Sequence, residues 1–244
     1  MLNVVLPTTS RCLYSQAMRR IFVCIGYAII LFYAALNLYG FMQFHRAELL
    51  VKRVEKVRVG DYLPKQPFGA GFHDRCEPDH MCRVWVSNLP FAEFLRTHRI
   101  SPAGVMPADW WFAVGYVYVD LNGKVLEKGF EADDGKYHQF GTVEIKVHED
   151  TRLFDPCIFP TAAKNPGYVP RQDMRTGTLF VDISPKTEET LMHRVFALHL
   201  DCLNTIKGCA NPGNIAPNAW DDAHENEPTK FDFRKCRHDS TADF

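Results

Sequence analysis

The chain contains almost none of the short signatures that announce an enzyme. No serine stands in Gly-x-Ser-x-Gly and none opens Ser-x-x-Lys, the arrangements that present an activated hydroxyl. No Gly-rich phosphate loop is present. No Cys-x-x-Cys pair occurs, which removes the usual dithiol redox signature. Asn-x-Ser/Thr is also missing, and exported eukaryotic domains of this size often carry one, so its absence points toward a bacterial envelope. The net charge is only -1, without the basic excess of a general nucleic-acid binder.

One more absence is informative. Ile21–Phe44 (IFVCIGYAIILFYAALNLYGFMQF) has no charged residue. As a helix rising 1.5 Å per residue it spans roughly 36 Å, enough to cross a bilayer with some tilt. A cleaved signal peptide would have a shorter apolar region and end in a small-x-small site. We expect an uncleaved anchor. Residues 1–44 hold three arginines, Arg11, Arg19 and Arg20, and no acid, while the other 200 residues hold 25 basic and 29 acidic side chains. Arg19-Arg20 before the apolar run favours a cytoplasmic N-terminus, although Arg46, Lys52, Arg53, Lys56 and Arg58 follow it.

The cysteines support the same orientation. Six of the eight lie beyond the apolar run, and an even set in an exported domain reads as three disulfides. The expected pairs are Cys76–Cys82, Cys202–Cys209 and Cys157–Cys236; the first two are near neighbours along the chain, and the last would tie the tail to the domain. The expected arrangement is a bacterial inner-membrane protein with a cytoplasmic tail at 1–20 and a single transmembrane helix at 21–44. A membrane-proximal helix and linker occupy 45–71, and a periplasmic α+β domain occupies 72–244.

Ala47, Leu50, Val51, Val54 and Val57 recur at helical spacing after the apolar run. That stripe either packs on the domain or forms a homodimer stalk through a 45–59 helix; packing is the expectation. Cys82–Asn88 alternates as a strand, and Pro90–His98 reads as a short helix. Trp111–Leu121, Lys124–Glu131 and Tyr137–Val147 read as a three-stranded antiparallel meander with one buried and one wet face. Asn122-Gly123 should be a two-residue turn with positive φ at both positions. Asp150–Thr178 reads as a long loop and Leu179–Ile183 as a strand. Ser184-Pro185 should open one long helix, Lys186–Ile206, packed on the sheet and stopped by Gly208. Residues 210–244 read as a loop-rich tail.

Two groups invite a metal: His73, Cys76, His80 and Cys82, and His193, His199, Cys202 and Cys209. Imidazole and thiolate suit zinc, but neither spacing is a recognised one, and in an oxidising compartment the cysteines belong in disulfides. No metal or other cofactor is expected. Trp85, Trp110 and Trp111 are the binding candidates, within an aromatic cluster whose simpler role is to fill the core. Neighbours on a strand alternate, so Trp110 and Trp111 cannot both face inward. With no catalytic motif, the sequence points to a membrane-anchored periplasmic domain that binds another envelope protein. It would be an immunity or inhibitor protein, or an accessory subunit. The rival is a metal- or carboxylate-dependent envelope hydrolase, which would need three of His73, His80, His193 and His199 to converge.

Overall fold

The uncharged run and the stripe behind it form one helix. In the computed structural model, α1 runs unbroken from Thr9–Lys56 (48 residues). It contains no proline that would remove a main-chain donor. Residues 9–72, 75–76, 80–90, 110–134, 142–149, 159–173, 176–205 and 208–225 are described. Within the described residues α1 is long and apolar enough to cross a membrane, and the most apolar stretch has no buried residue, consistent with single-pass anchoring.

Burial along α1 changes abruptly near Gly40. Ile29 to Tyr33 are more than half exposed, whereas Gln43, Phe44, Ala47, Leu50, Val51, Val54 and Val57 are buried. The stripe packs on the chain's own sheet. Each fully buried Leu or Val contributes about 1.5–3 kcal/mol, so the second half of α1 is a large part of the core. The side chains that a dimer stalk would use are consumed in that packing.

The sheet has seven strands in the order β1-β2-β3-β4-β5-β7-β6. They are β1 Arg75–Cys76, β2 Met81–Ser87, β3 Phe112–Val119, β4 Val125–Asp133, β5 Val143–His148, β6 Tyr168–Gln172 and β7 Leu179–Ile183. All neighbouring pairs are antiparallel except β5 with β7. One register row runs Val84, Gly115, Phe130, Ile145, Val181 and Pro170. This face meets α1. An added Cβ on Gly115 would lie 2.8 Å from both Leu50 and Val54, so the missing side chain lets the helix approach β3.

Several sequence expectations are corrected. The turn after β3 has one positive φ, at Gly123, and none at Asn122. It is a three-residue loop closed by the Asp120 carboxylate, which accepts the N–H groups of Asn122 and Lys124 at 2.8 Å each. The Lys124 N–H, with that of Asn122, holds the Asp120 carboxyl below its usual range. Gly60 and Leu63 donate to Val125 and Gly123 at 2.8 Å, so part of the expected linker joins the hairpin.

The expected helix Lys186–Ile206 is two pieces, α3 Glu189–Phe196 and a 3-10 turn Leu200–Asn204. Between them the His199 N–H goes to the distant Ile215 carbonyl, 2.8 Å away. The break lets Val195, Phe196, Leu200 and Leu203 all reach the core, and burial overrides local propensity. Ser184 does not cap a helix. Its Oγ accepts the Lys186 N–H at 3.3 Å, closing a turn ahead of α3, whose N-cap position is Glu188.

The expected loop 150–178 contains α2 Pro160–Lys164 and strand β6. Pro170 is tolerated because β6 is an edge strand. The expected tail contains a 3-10 turn Pro212–Asn214 and α4 Pro217–Glu225, with Ala219 and Ala223 buried. The Asp222 carboxylate accepts from Tyr168 and Arg194 at 2.9 Å each, joining β6, α3 and α4. Residues 91–98 of the expected helix, and residues 137–141 of the strand expected to end at Val147, lie outside the described residues.

The C-terminus of α1 has an unusual partner. Lys128, on the helix-facing side of β4 and only 3 % exposed, donates its ammonium to the Glu55 carbonyl at 2.5 Å and lies over the Phe196 ring. Cations suit a helix C-terminus. Burial nonetheless pulls the Lys128 pKa down to about 8, partly opposed by the Glu55 carboxylate.

Candidate functional site

The sheet face away from α1 is polar and aromatic. Strand alternation puts Arg83 and Trp85, Phe112, Val114, Tyr116 and Tyr118, Glu127 and Glu131, and Glu144 and Lys146 on this side. Pairing then sets Tyr116 opposite Gly129, and Gly129 opposite Lys146. A groove of about 560 Å³ opens here, walled by Arg83, Tyr116, Glu127, Glu131, Glu144 and Lys146, with Met81, Tyr118 and Leu126 toward its rim.

Tyr116 forms the floor. Its ring lies across β4 in the space where Gly129 lacks a side chain, and an added Cβ at Gly129 would overlap the ring and hydroxyl. Tyr116 is 7 % exposed, and its hydroxyl has no hydrogen-bond partner among the described residues. A buried polar atom left unpaired costs about 1–3 kcal/mol. Burial raises the Tyr116 pKa, and the charges of Glu144, Glu127 and Glu131 raise it further, so its hydroxyl stays protonated.

The carboxylates differ in their partners. Glu144 pairs with Lys146 at 2.8 Å. Burial works against the Lys146 charge, but the Glu144 hydrogen bond and the charges of Glu144, Glu127 and Asp182 outweigh it and raise its pKa. Glu127 accepts no hydrogen bond among the described residues. Burial raises its pKa, with partial opposition from Lys146 and His148. Beyond the groove, Asp182 joins His148 (3.2 Å) and Arg171 (3.1 Å) across β5, β7 and β6.

The sequence-derived candidates do not gather here. Trp111 is 1 % exposed on the α1 side and is part of the core. Trp85 stacks on Phe112 with ring centroids 4.4 Å apart, and Trp110 leans on Phe112 at 5.7 Å. Trp110 and Trp111 therefore do divide between the two sides. His193, on α3, contacts the Glu55 carboxylate at 2.7 Å. His199 precedes the 3-10 turn, and His80 lies just before β2 with φ 65°. His73 lies outside the described residues. Among the described residues no three His, Cys, Asp or Glu side chains are placed to hold a metal ion. Cys76–Cys82 and Cys202–Cys209 are at disulfide distance, the first as direct cross-strand partners. Cys157 and Cys236 lie outside the described residues.

Tyr116 and Tyr118 belong to the aromatic cluster that the sequence offered, whereas the charged groove residues were missed because none belongs to a motif. Their one signal is the two-residue alternation of polar with apolar positions. That signal places each on the wet face and cannot say which strands are neighbours. No protein-family model, no curated protein and no solved structure matches this chain.

Proposed function

We propose that this chain is a membrane-anchored, periplasmic protein-binding domain without catalytic activity of its own. It would serve as an immunity or inhibitor protein, or as an accessory subunit of an envelope complex. The observation that carries this reading is the division of the sheet: α1 and α4 cover one face, and the other bears an aromatic-floored groove of mixed charge. Aromatic rings with a few directional polar groups suit protein interfaces. The N-terminus lies in the cytoplasm and the sheet outside.

The test uses the full chain in its native host. A photoactivatable residue replaces Leu126, at the groove rim and 52 % exposed, or Leu49, on α1 and 50 % exposed. We expect a discrete protein adduct from position 126 and none from position 49. Lipid adducts alone, or the same adducts from both positions, overturn the reading. A reporter active only in the periplasm, fused after Phe244, should work; activity solely from a cytoplasmic reporter reverses the orientation.

A further inference from the structure

We propose that the groove on the open face of the sheet receives a single basic side chain, a lysine ammonium or an arginine guanidinium, presented by the partner protein. This rests on the protein-binding reading and specifies its chemistry.

Charge disfavours the opposite ligand. Among the described residues the groove walls carry three carboxylates, Glu127, Glu131 and Glu144, against two cations, Arg83 and Lys146. An incoming carboxylate or phosphate would meet an excess of like charge. An incoming cation balances the set, and Glu127 has an acceptor in hand because Glu144 is the carboxylate paired with Lys146.

The second observation is independent of the acidic cluster. The Tyr116 hydroxyl is buried, faces the groove and has no partner among the described residues. A phenol oxygen accepts as well as donates, so it can take an N–H from a cation above it. Burial is the larger cause of the upward Tyr116 shift, and the Glu144, Glu127 and Glu131 charges add to it; at Lys146 burial is outweighed by the Glu144 hydrogen bond and the Glu144 and Glu127 charges. The rim suits the rest of such a side chain. Met81 and Leu126 offer apolar surface to an aliphatic stem. The Tyr118 ring, 36 % exposed, offers a π face to the charge.

The test uses the purified full chain in nanodiscs. The probes are Nα-acetyl-arginine amide and Nα-acetyl-lysine amide, with Nα-acetyl-citrulline amide as the neutral isostere of arginine. Binding is followed by saturation-transfer NMR. We expect both cations to bind and citrulline to bind about tenfold more weakly. Glu127→Gln should weaken the cations about fivefold or more, and Tyr116→Phe about threefold. Neither variant should fall below the wild-type thermal midpoint, which separates a lost contact from a lost fold. Equal binding of citrulline, or cation binding unchanged in both variants, overturns the inference. The adduct from position 126 separates it from the reading beneath. A protein captured equally by wild type and Glu127→Gln overturns the basic side chain and leaves protein binding standing. Cation binding with no captured protein overturns protein binding, and the partner with it.

Discussion

Lys128, in the middle of β4, holds the main-chain carbonyl of Glu55 in the last turn of α1, 2.5 Å from its ammonium. A sheet residue thus closes the end of the helix that carries the apolar run.

That contact has a pH signature. The folded pKa of about 8 lies below the lysine value of 10.5, so the folded state sheds this proton first. The penalty for burying the charge is fully present below pH 8, and it lifts as pH rises from 8 toward 10.5. Stability should therefore increase in that window, by at most about 3 kcal/mol. The comparison should stop near pH 10, because Tyr116 and Tyr168 have raised folded pKa values and destabilise the fold above the ordinary tyrosine pKa. Chemical unfolding of wild type and Lys128→Met between pH 7 and about 10 is the measurement. The rise should vanish in the variant; equal slopes refute the assignment.

Gly129 and Tyr116 should behave as one unit. Gly129→Ala drives a methyl group into the tyrosine ring and should destabilise by about 1–3 kcal/mol. In a Tyr116→Ala background the same change should cost far less, because the space is then vacant. Additive losses in the double-mutant cycle would mean that the ring does not lie over β4.

The hairpin separates two turn types. Only Gly123 has positive φ. Gly123→Val should lower stability by about 1–2 kcal/mol, whereas Asn122→Val should change it by under about 0.5 kcal/mol. Similar losses at both positions would restore the two-residue turn.

The core also sets where the chain can be cut. A fragment of residues 60–244 lacks Phe44, Ala47, Leu50, Val51, Val54 and Val57, all buried. It should show no cooperative thermal transition, while residues 43–244 should retain one. Replacing Leu50 with Ala in the longer fragment should cost about 2–5 kcal/mol. A cooperative transition in the shorter fragment would show that α1 is dispensable to the fold.

The elements legible in the sequence were those whose signal is local. The uncharged Ile21–Phe44, the alternation around Val84 and Ile145, the LFVDI strand and the Ala47–Val57 stripe all declare themselves within a few residues. The misread elements depend on distant partners. Pro170 and Gly167 read as loop, yet β6 forms because β7 offers it an edge. Ser184-Pro185 and Gly208 suggested one continuous helix between them, but the His199 N–H is taken by Ile215 from further along the chain. The groove was the least legible part. Tyr116, Glu127 and Lys146 stand on three strands, and only their register brings them together.

The continuity of α1 limits how far the open face can reach. An added Cβ on Gly40 would already lie 3.7 Å from Asn88, so the apolar run gives way to the sheet within one helical turn. From Gly40 to Lys56 the helix climbs only about 24 Å. No break in α1 separates the apolar run from the segment packed on the sheet, so the stem has no swivel. The heading of the open face relative to the apolar run is therefore set by the helix itself.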